Sequence, residues 1–148
     1  MKVYKYNGTN FLIHQRILHS GAVISLELTE NNTYLAIGGI SDEAVIYRFD
    51  GNTFEPFQSI KFGGEKFWRR ASITGDAEYL IIIHSQQFLV EIYRFSHNAS
   101  KFELVSLNEE LSFSPEMIHT SEMSVQHDLI AISTQAALYI YTFDNQTV

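Results

Sequence analysis

Short apolar runs separated by polar turns recur along the whole chain and predict β-strands. One strand-and-turn pattern occurs four times, and its first Tyr lies at positions 4, 47, 93 and 141. The steps between copies are 43, 46 and 48 residues, which is the period of a repeat architecture. The four copies are Val3–Gly8, Ile46–Gly51, Ile92–His97 and Ile140–Asn145.

A second segment keeps the same period and has the form of a hairpin, with an apolar strand, a polar turn and another apolar strand. Its three copies, Leu28–Ile37, Ile73–Ile82 and Met123–Ile132, align without a gap. A third segment follows each Tyr strand and places Phe11, Phe54 and Phe102 in equivalent positions. The repeating unit is therefore predicted to have four strands, a to d.

The alignment predicts thirteen strands and no helix. Strand a is expected near 23–28, 68–73 and 117–123; strand b near 34–38, 79–84 and 129–133; strand c near 3–6, 45–49, 90–95 and 138–143; strand d near 11–17, 54–61 and 102–107. Four short antiparallel strands per 40 to 50 residues match a propeller blade. The predicted fold is all-β, with about three four-stranded antiparallel meanders in an incomplete ring or in part of a larger propeller.

The repeats resemble two known families. Tyr34–Gly39 leading to Ile46–Phe49 looks like a WD-repeat blade. Val3–Gly8, continuing through Phe11 to Gln15, is similar to the epitempin-type repeats of extracellular propellers. Both resemblances imply a scaffold that binds ligands, usually without catalysis.

We predict a single all-β domain over residues 1–148. It would hold strands c and d of one blade (1–17), a blade at 18–61, a blade at 62–107, and strands a to c of a further blade (108–148). Because the terminal strands Val3–Tyr6 and Leu138–Phe143 lack the Pro or dense charge that normally blunts a sheet edge, we expect at least one terminal edge to be completed. A protein partner, self-association or a longer propeller would complete it.

Composition narrows the partners and the compartment. The net charge is −7, which disfavours nucleic acid, and the absence of Cys excludes disulfides, Cys-ligated zinc and a thiol nucleophile. No apolar run is long enough for membrane insertion, so a cytoplasmic location is the default, and we expect no cofactor and no metal. An extracellular location stays open because four N-glycosylation sequons lie in predicted turns, at Asn7, Asn31, Asn98 and Asn145.

The connections between strand d and the next strand a vary most in length, and such loops commonly carry binding sites. The segment Lys61–Arg70 holds Lys66, Trp68, Arg69 and Arg70, a composition favoured at interfaces. Alternatively, Trp68 fills the space between blades and the basic residues are solvated. Asp42 and Glu43, between strands b and c, could line the same face, so we name these six residues as candidate partner contacts.

No catalytic constellation is evident in the sequence. The six His show no metal-ligand spacing, although His84 and His119 flank strand ends that face the variable loops, which leaves a catalytic role open. We expect a non-enzymatic scaffold that binds a protein partner. The alternatives are an extracellular or virion-surface recognition or adhesion module, and a propeller enzyme such as a glycosidase or lyase. That enzyme would need clustered carboxylates, whereas strand a offers Glu27, Arg69 and Glu122 without repetition.

Overall fold

The computed structural model describes residues 1–63, 67–84, 89–108, 118–124, 129–134 and 138–142. This part of the chain contains thirteen strands and no helix, in agreement with the predicted all-β fold. The strands are β1 (Lys2–Tyr6), β2 (Phe11–Arg16), β3 (Ala22–Leu28), β4 (Tyr34–Ser41), β5 (Glu43–Phe49), β6 (Phe54–Lys61), β7 (Phe67–Ile73), β8 (Tyr79–His84), β9 (Leu89–Ser96), β10 (Lys101–Asn108), β11 (Ile118–Ser124), β12 (Leu129–Thr134) and β13 (Leu138–Thr142).

Antiparallel meanders organise these strands. β3–β6 form a first blade, β7–β10 form a second, β1–β2 form a hairpin and β11–β13 form a three-stranded sheet. The two blades join because the end of β4 pairs with the start of β7, through Ile40 with Trp68 and Ser41 with Phe67. The result is one curled eight-stranded sheet, so the prediction of a partial propeller is confirmed.

The repeat alignment places residues correctly on the strands. Tyr47 lies opposite Leu35 in the first blade, and Tyr93 lies opposite Leu80 at the equivalent place in the second. Both Tyr side chains are buried. Side chains of the same type at the same depth allow each blade to pack against its neighbour in the same way. Phe143, predicted to continue the series, lies outside the described residues.

One hydrophobic core lies between the first and second blades, and another lies between the β1–β2 hairpin and the first blade. All six residues of β8 are buried, which explains why this strand is apolar throughout instead of alternating. Tyr34, Phe57, Phe95 and Phe102 pack together, with ring centroids 5.2 to 6.4 Å apart. Burying each such side chain contributes about 1.5 to 3 kcal/mol, so this contact fixes the second blade on the first.

Polar contacts also join β3 of the first blade to β7 of the second. Ser25 Oγ accepts a hydrogen bond from the Ala71 amide (2.9 Å), and a Glu27 carboxylate oxygen accepts one from the Ile73 amide (3.2 Å). A Cβ atom on Gly38 would lie only 2.6 Å from the Ala71 nitrogen. Glycine is therefore required for β7 to approach this closely.

The bounds of the repeat units and the single-domain assignment stay predictions. In the part of the chain that the structure describes, no helix is long and apolar enough to cross a membrane. Asn7, Asn31 and Asn98 are exposed in turns, whereas Asn145 lies outside the described residues. The location of the protein stays a prediction as well.

Candidate active site

Several strand ends meet at one end of the eight-stranded sheet. β4 ends at Ser41 where β5 begins, and β8 ends at His84 close to the start of β9. Because the strands are antiparallel, these ends lie at the same edge as the start of β7. This edge is where the sequence placed the variable connection between β6 and β7.

The predicted contact residues Asp42, Glu43 and Trp68 do lie at this end. The Asp42 carbonyl accepts a hydrogen bond from the Phe62 amide (2.9 Å), so the turn between β4 and β5 lies against the connection that follows β6. Trp68 is 44% exposed and therefore does not fill the space between the blades, as the alternative supposed. Lys66 lies outside the described residues. The role of all six residues in partner binding stays a prediction.

Arg69 is buried, with 1% of its surface exposed, and is not solvated as the same alternative supposed. Its Nε donates to Nδ1 of His84 (3.2 Å), and its Nη1 donates to the carbonyl oxygen of Ser41. The guanidinium carbon lies 4.5 Å from the centroid of the Phe62 ring. Burial lowers the pKa of Arg69, and the carboxylates of Glu91 and Asp42 oppose this effect.

His84, Glu91 and Tyr93 continue the network from Arg69 across β8 and β9. Because Nδ1 of His84 accepts from Arg69, the neutral imidazole carries its proton on Nε2. That Nε2 lies 3.4 Å from Glu91 Oε2, and the same oxygen accepts a 2.7 Å hydrogen bond from the Tyr93 hydroxyl. We call Arg69, His84, Glu91 and Tyr93 the polar network.

Glu91 is the acid of the polar network and retains contact with solvent, since 14% of its side-chain surface is exposed. Burial alone would raise the pKa of Glu91. The contacts with His84 and Tyr93, together with the charge of Arg69, outweigh burial and hold this pKa below its ordinary value of 4.5. Burial, and donation to Glu91, raise the pKa of the Tyr93 hydroxyl. At neutral pH the network therefore presents an ionised carboxylate that accepts from a protonated Tyr.

The first blade has no counterpart of the polar network. Its strands carry Gly39 opposite Val23, where the second blade pairs His84 with Arg69. Val45 stands at the position of Glu91, two residues before the repeated Tyr. Sequence reasoning singled out His84 but missed Glu91, and a position-by-position comparison of the two blades would have shown both as departures from the repeat.

Two other basic groups lie near this end of the sheet. Arg70, on the neighbouring position of β7, is half-buried, and burial lowers its pKa. No carboxylate among the described residues pairs with it. In the first blade, both ring nitrogens of His19 are buried without a hydrogen-bond partner in the described part of the chain. Burial lowers the pKa of His19, and the Glu43 carboxylate opposes this effect.

Within the described ranges, no group of three or more His, Asp or Glu side chains could hold a metal ion. Within the polar network, Arg69 occupies Nδ1 of His84 and Tyr93 occupies one oxygen of Glu91, and neither Arg nor Tyr is a common metal ligand.

Comparison with known proteins gives a fold but no family. No protein-family model matches the sequence, and no curated protein matches it. Among solved structures, a Bacteroides uniformis protein proposed to be a 6-phosphogluconolactonase superposes on 97% of this chain, with a TM-score of 0.76 and 11% identity. The periplasmic gluconolactonase of Pseudomonas aeruginosa superposes on 92%, with a TM-score of 0.67 and 11% identity. The β-propeller domain of Cps50 (Swd1) from Myceliophteria thermophila superposes on 81%, with a TM-score of 0.58 and 13% identity.

This chain spans less than half the length of these structures, since it covers 44%, 39% and 40% of them, respectively. The likeness supports a propeller-like fold. The prediction of a non-enzymatic scaffold, and with it the expectation that the chain is not an enzyme, is contradicted because the matching propellers include lactonases. The error was to infer the absence of catalysis from blade architecture, although the same fold carries enzymatic activity in these proteins.

Proposed function

We propose that this chain forms part of a propeller hydrolase that opens a sugar lactone, with the polar network as its proton-transfer site. The single observation that carries the proposal is the charged network Arg69–His84–Glu91–Tyr93, which stands where the preceding blade has apolar or small residues. Burying such groups is costly, so a role in chemistry accounts for their presence better than packing does. Three lactonase-type propellers among the structural neighbours support the choice of reaction.

In the proposed reaction, water attacks the carbonyl carbon of the lactone and Glu91 accepts the proton of that water. The carbonyl carbon gains the water oxygen and the bond to the ring oxygen breaks. The ring oxygen then takes the proton from Glu91 and becomes the product hydroxyl, which leaves Glu91 ionised again. Glu91 suits this role because it is ionised, fixed by two neighbours and partly exposed. Tyr93 and His84 are positioning residues, since both contact the Glu91 carboxylate.

Arg69 is a positioning residue as well, because its guanidinium is occupied by Ser41 and His84. Arg70 follows Arg69 on β7 and therefore points to the opposite face of the strand, so we propose no role for it at the polar network. A glycosidase, the enzyme alternative that the sequence suggested, needs two carboxylates at the bond to be cleaved. The polar network contains one, which favours the lactone.

The decisive experiment measures release of acid from glucono-lactone and from its 6-phosphate by the protein and by Glu91→Gln. We expect Glu91→Gln to lower the rate about 10²- to 10⁴-fold, the usual contribution of a general base. Glu78→Gln is the matched control. Glu78 is an exposed carboxylate that forms a salt bridge with Arg94 (2.9 Å), and it precedes β8 at the end of the strand opposite His84. Equal rates for Glu91→Gln and the starting protein would refute the proposal.

Arg70→Gln is a second control. Because Arg70 points away from the polar network, this change should leave the hydrolysis of both lactones nearly unchanged. The assignment of the repeats to the WD-repeat or the epitempin-type family stays a prediction, supported by the residues named above.

A further inference from the structure

One contact recurs between the outer strands of successive repeats. Gln15 on β2 binds both backbone groups of Phe54 on β6, since its Nε2 donates to the Phe54 carbonyl (2.8 Å) and its Oε1 accepts from the Phe54 amide (2.8 Å). Gln58 on β6 binds Phe102 on β10 in the same way, at 2.9 and 2.7 Å. We call this contact the carboxamide clamp.

The clamp has a fixed place in the repeat. Gln15 lies opposite Val3 and Gln58 lies opposite Ile46, and a shift of register follows each pair at once. The Phe that receives a clamp lies four residues before the Gln on the same strand. Each outer strand can therefore give one clamp through its Gln and receive another through its Phe.

Phe11 occupies the receiving position on β2. It lies opposite Tyr6, as Phe54 lies opposite Phe49. Equivalent backbone hydrogen bonds close the two hairpins, since the Asn7 amide donates to the Asn10 carbonyl and the Asp50 amide donates to the Thr53 carbonyl. Its amide and carbonyl therefore face away from β1, and no side chain among the described residues binds them. Phe11 is 71% exposed, whereas the clamped Phe54 and Phe102 are 8% and 2% exposed.

We infer that Phe11 is the docking point of a further blade of this repeat type, one that carries a carboxamide at the clamp position. The free position at Phe11 repeats the two positions that Gln15 and Gln58 already occupy at Phe54 and Phe102. The occupant must therefore supply a carboxamide side chain. Tyr4, Tyr6 and Ile13 lie on the same face of the hairpin as Phe11, are about half exposed, and supply the apolar surface that such a blade would cover.

A second copy of this chain lacks the required group. Its two outer-strand Gln residues are already bound to Phe54 and Phe102, and its remaining outer strand β10 has Ser106 at the clamp position, opposite Ile92. The occupant is therefore a blade from outside residues 1–148. The propellers that superpose on this chain are more than twice as long, so a ring of this kind has room for such blades.

The test extends the full chain with an additional copy of residues 18–89, joined ahead of Met1. Tyr93 and Tyr4 occupy equivalent positions, so residue 89 followed by Met1 keeps the spacing of the repeat. Gln58 of the added copy then lies on the blade immediately before the one that contains Phe11. Hydrogen exchange of the Phe11 amide should slow roughly tenfold, which corresponds to one added hydrogen bond. Gln58→Met in the added copy should abolish this protection, whereas Gln58→Met in the original copy should expose Phe102 and leave Phe11 protected.

Slow hydrogen exchange of the Phe54 amide in the same sample shows that the extended chain has folded. A Phe11 amide that exchanges rapidly in that sample would overturn the inference. Protection of Phe11 in the unextended chain at rising protein concentration would also overturn it, because a second copy would then be the occupant. Photo-crosslinking from position 11 in the cells that make the protein is independent of the extension. We expect a crosslinked peptide with the tyrosine-strand pattern from outside residues 1–148, and a peptide of this chain or none at all would contradict the inference.

Discussion

The first and second blades share a backbone plan and differ in the chemistry of one edge. Both pair a buried Tyr with a Leu at the same place on their strands. At the edge near Ser41, the first blade has Val23 opposite Gly39, and the second has Arg69 opposite His84. The repeat therefore supplies the scaffold, and departures from the repeat indicate where selection has acted on something other than packing.

The largest expected effect comes from breaking the charged edge of the second blade. Arg69→Ala leaves the Ser41 carbonyl and His84 without their donor and Glu91 without a buried counter-charge. We expect a loss of about 3 to 5 kcal/mol in the free energy of unfolding, measured by urea denaturation followed by circular dichroism. The control Glu78→Gln should cost about 0 to 1 kcal/mol, because the Glu78–Arg94 pair is exposed.

A triple replacement converts the charged edge toward that of the first blade and sharpens the same comparison. Arg69→Ile, His84→Ala and Glu91→Val, made together in a Tyr93→Phe background, remove every member of the polar network that would be left uncompensated. The free energy of unfolding should return to within about 1 kcal/mol of the starting protein, while lactone hydrolysis is lost. If the triple variant remained as unstable as Arg69→Ala, the network would serve to join the blades.

Gly38 provides the next test, because the second blade has Ile83 at the equivalent position of β8. A Cβ on Gly38 would approach the Ala71 nitrogen, the Arg69 carbonyl and Ser25 Oγ to 2.6 Å each. Gly38→Ala should therefore push β7 away and cost about 1 to 3 kcal/mol in thermal or urea unfolding. Ile83→Val, which shortens the equivalent side chain, should cost only about 0.5 to 1.5 kcal/mol. Equal costs would mean that the first blade tolerates more space at β7 than the structure indicates.

The smallest effects concern the dependence of stability on pH, and the two blades should lose stability in different pH ranges. The folded-state pKa values of His19 in the first blade and Glu91 in the second are both lowered. Between its unfolded and folded pKa, each group binds more protons in the unfolded chain, so stability falls as the pH falls. The loss from His19 should begin as the pH drops through about 6.5 and the loss from Glu91 below about 4.5.

Two variants test which residue causes the loss of stability in each pH range. His19→Leu should remove the upper step of a stability-versus-pH curve, and Glu91→Gln should remove the lower one. The acid limb of lactone hydrolysis should follow the lower window. A curve that keeps both steps in both variants would show that other groups titrate there.

The sequence was sufficient to predict the strands because their side chains repeat. The steps between Tyr4, Tyr47, Tyr93 and Tyr141 set the phase, and the strand positions then followed from apolar runs and Asn, Asp or Gly turns. Backbone pairing in a blade is local, so a local pattern determines it.

The site was harder to predict because it depends on contacts across strands. Arg69, His84 and Glu91 are separated by 15 and 7 residues and meet only when β7, β8 and β9 are in register. Trp68 and Arg69 are adjacent in sequence yet point to opposite faces, so one is exposed and the other buried. A composition argument treated them as one basic aromatic patch and could not separate them.

The carboxamide clamp gives the array a direction. Each outer strand offers a Gln on one side and receives through a Phe on the other, so two arrays can join only head to tail, by a heterologous contact. Head-to-tail contacts have only two outcomes, closure into a ring or growth into a filament, and the rotation per blade decides between them. Ser106 stands on β10 in place of a third Gln, so this strand does not repeat the clamp that Gln15 and Gln58 form.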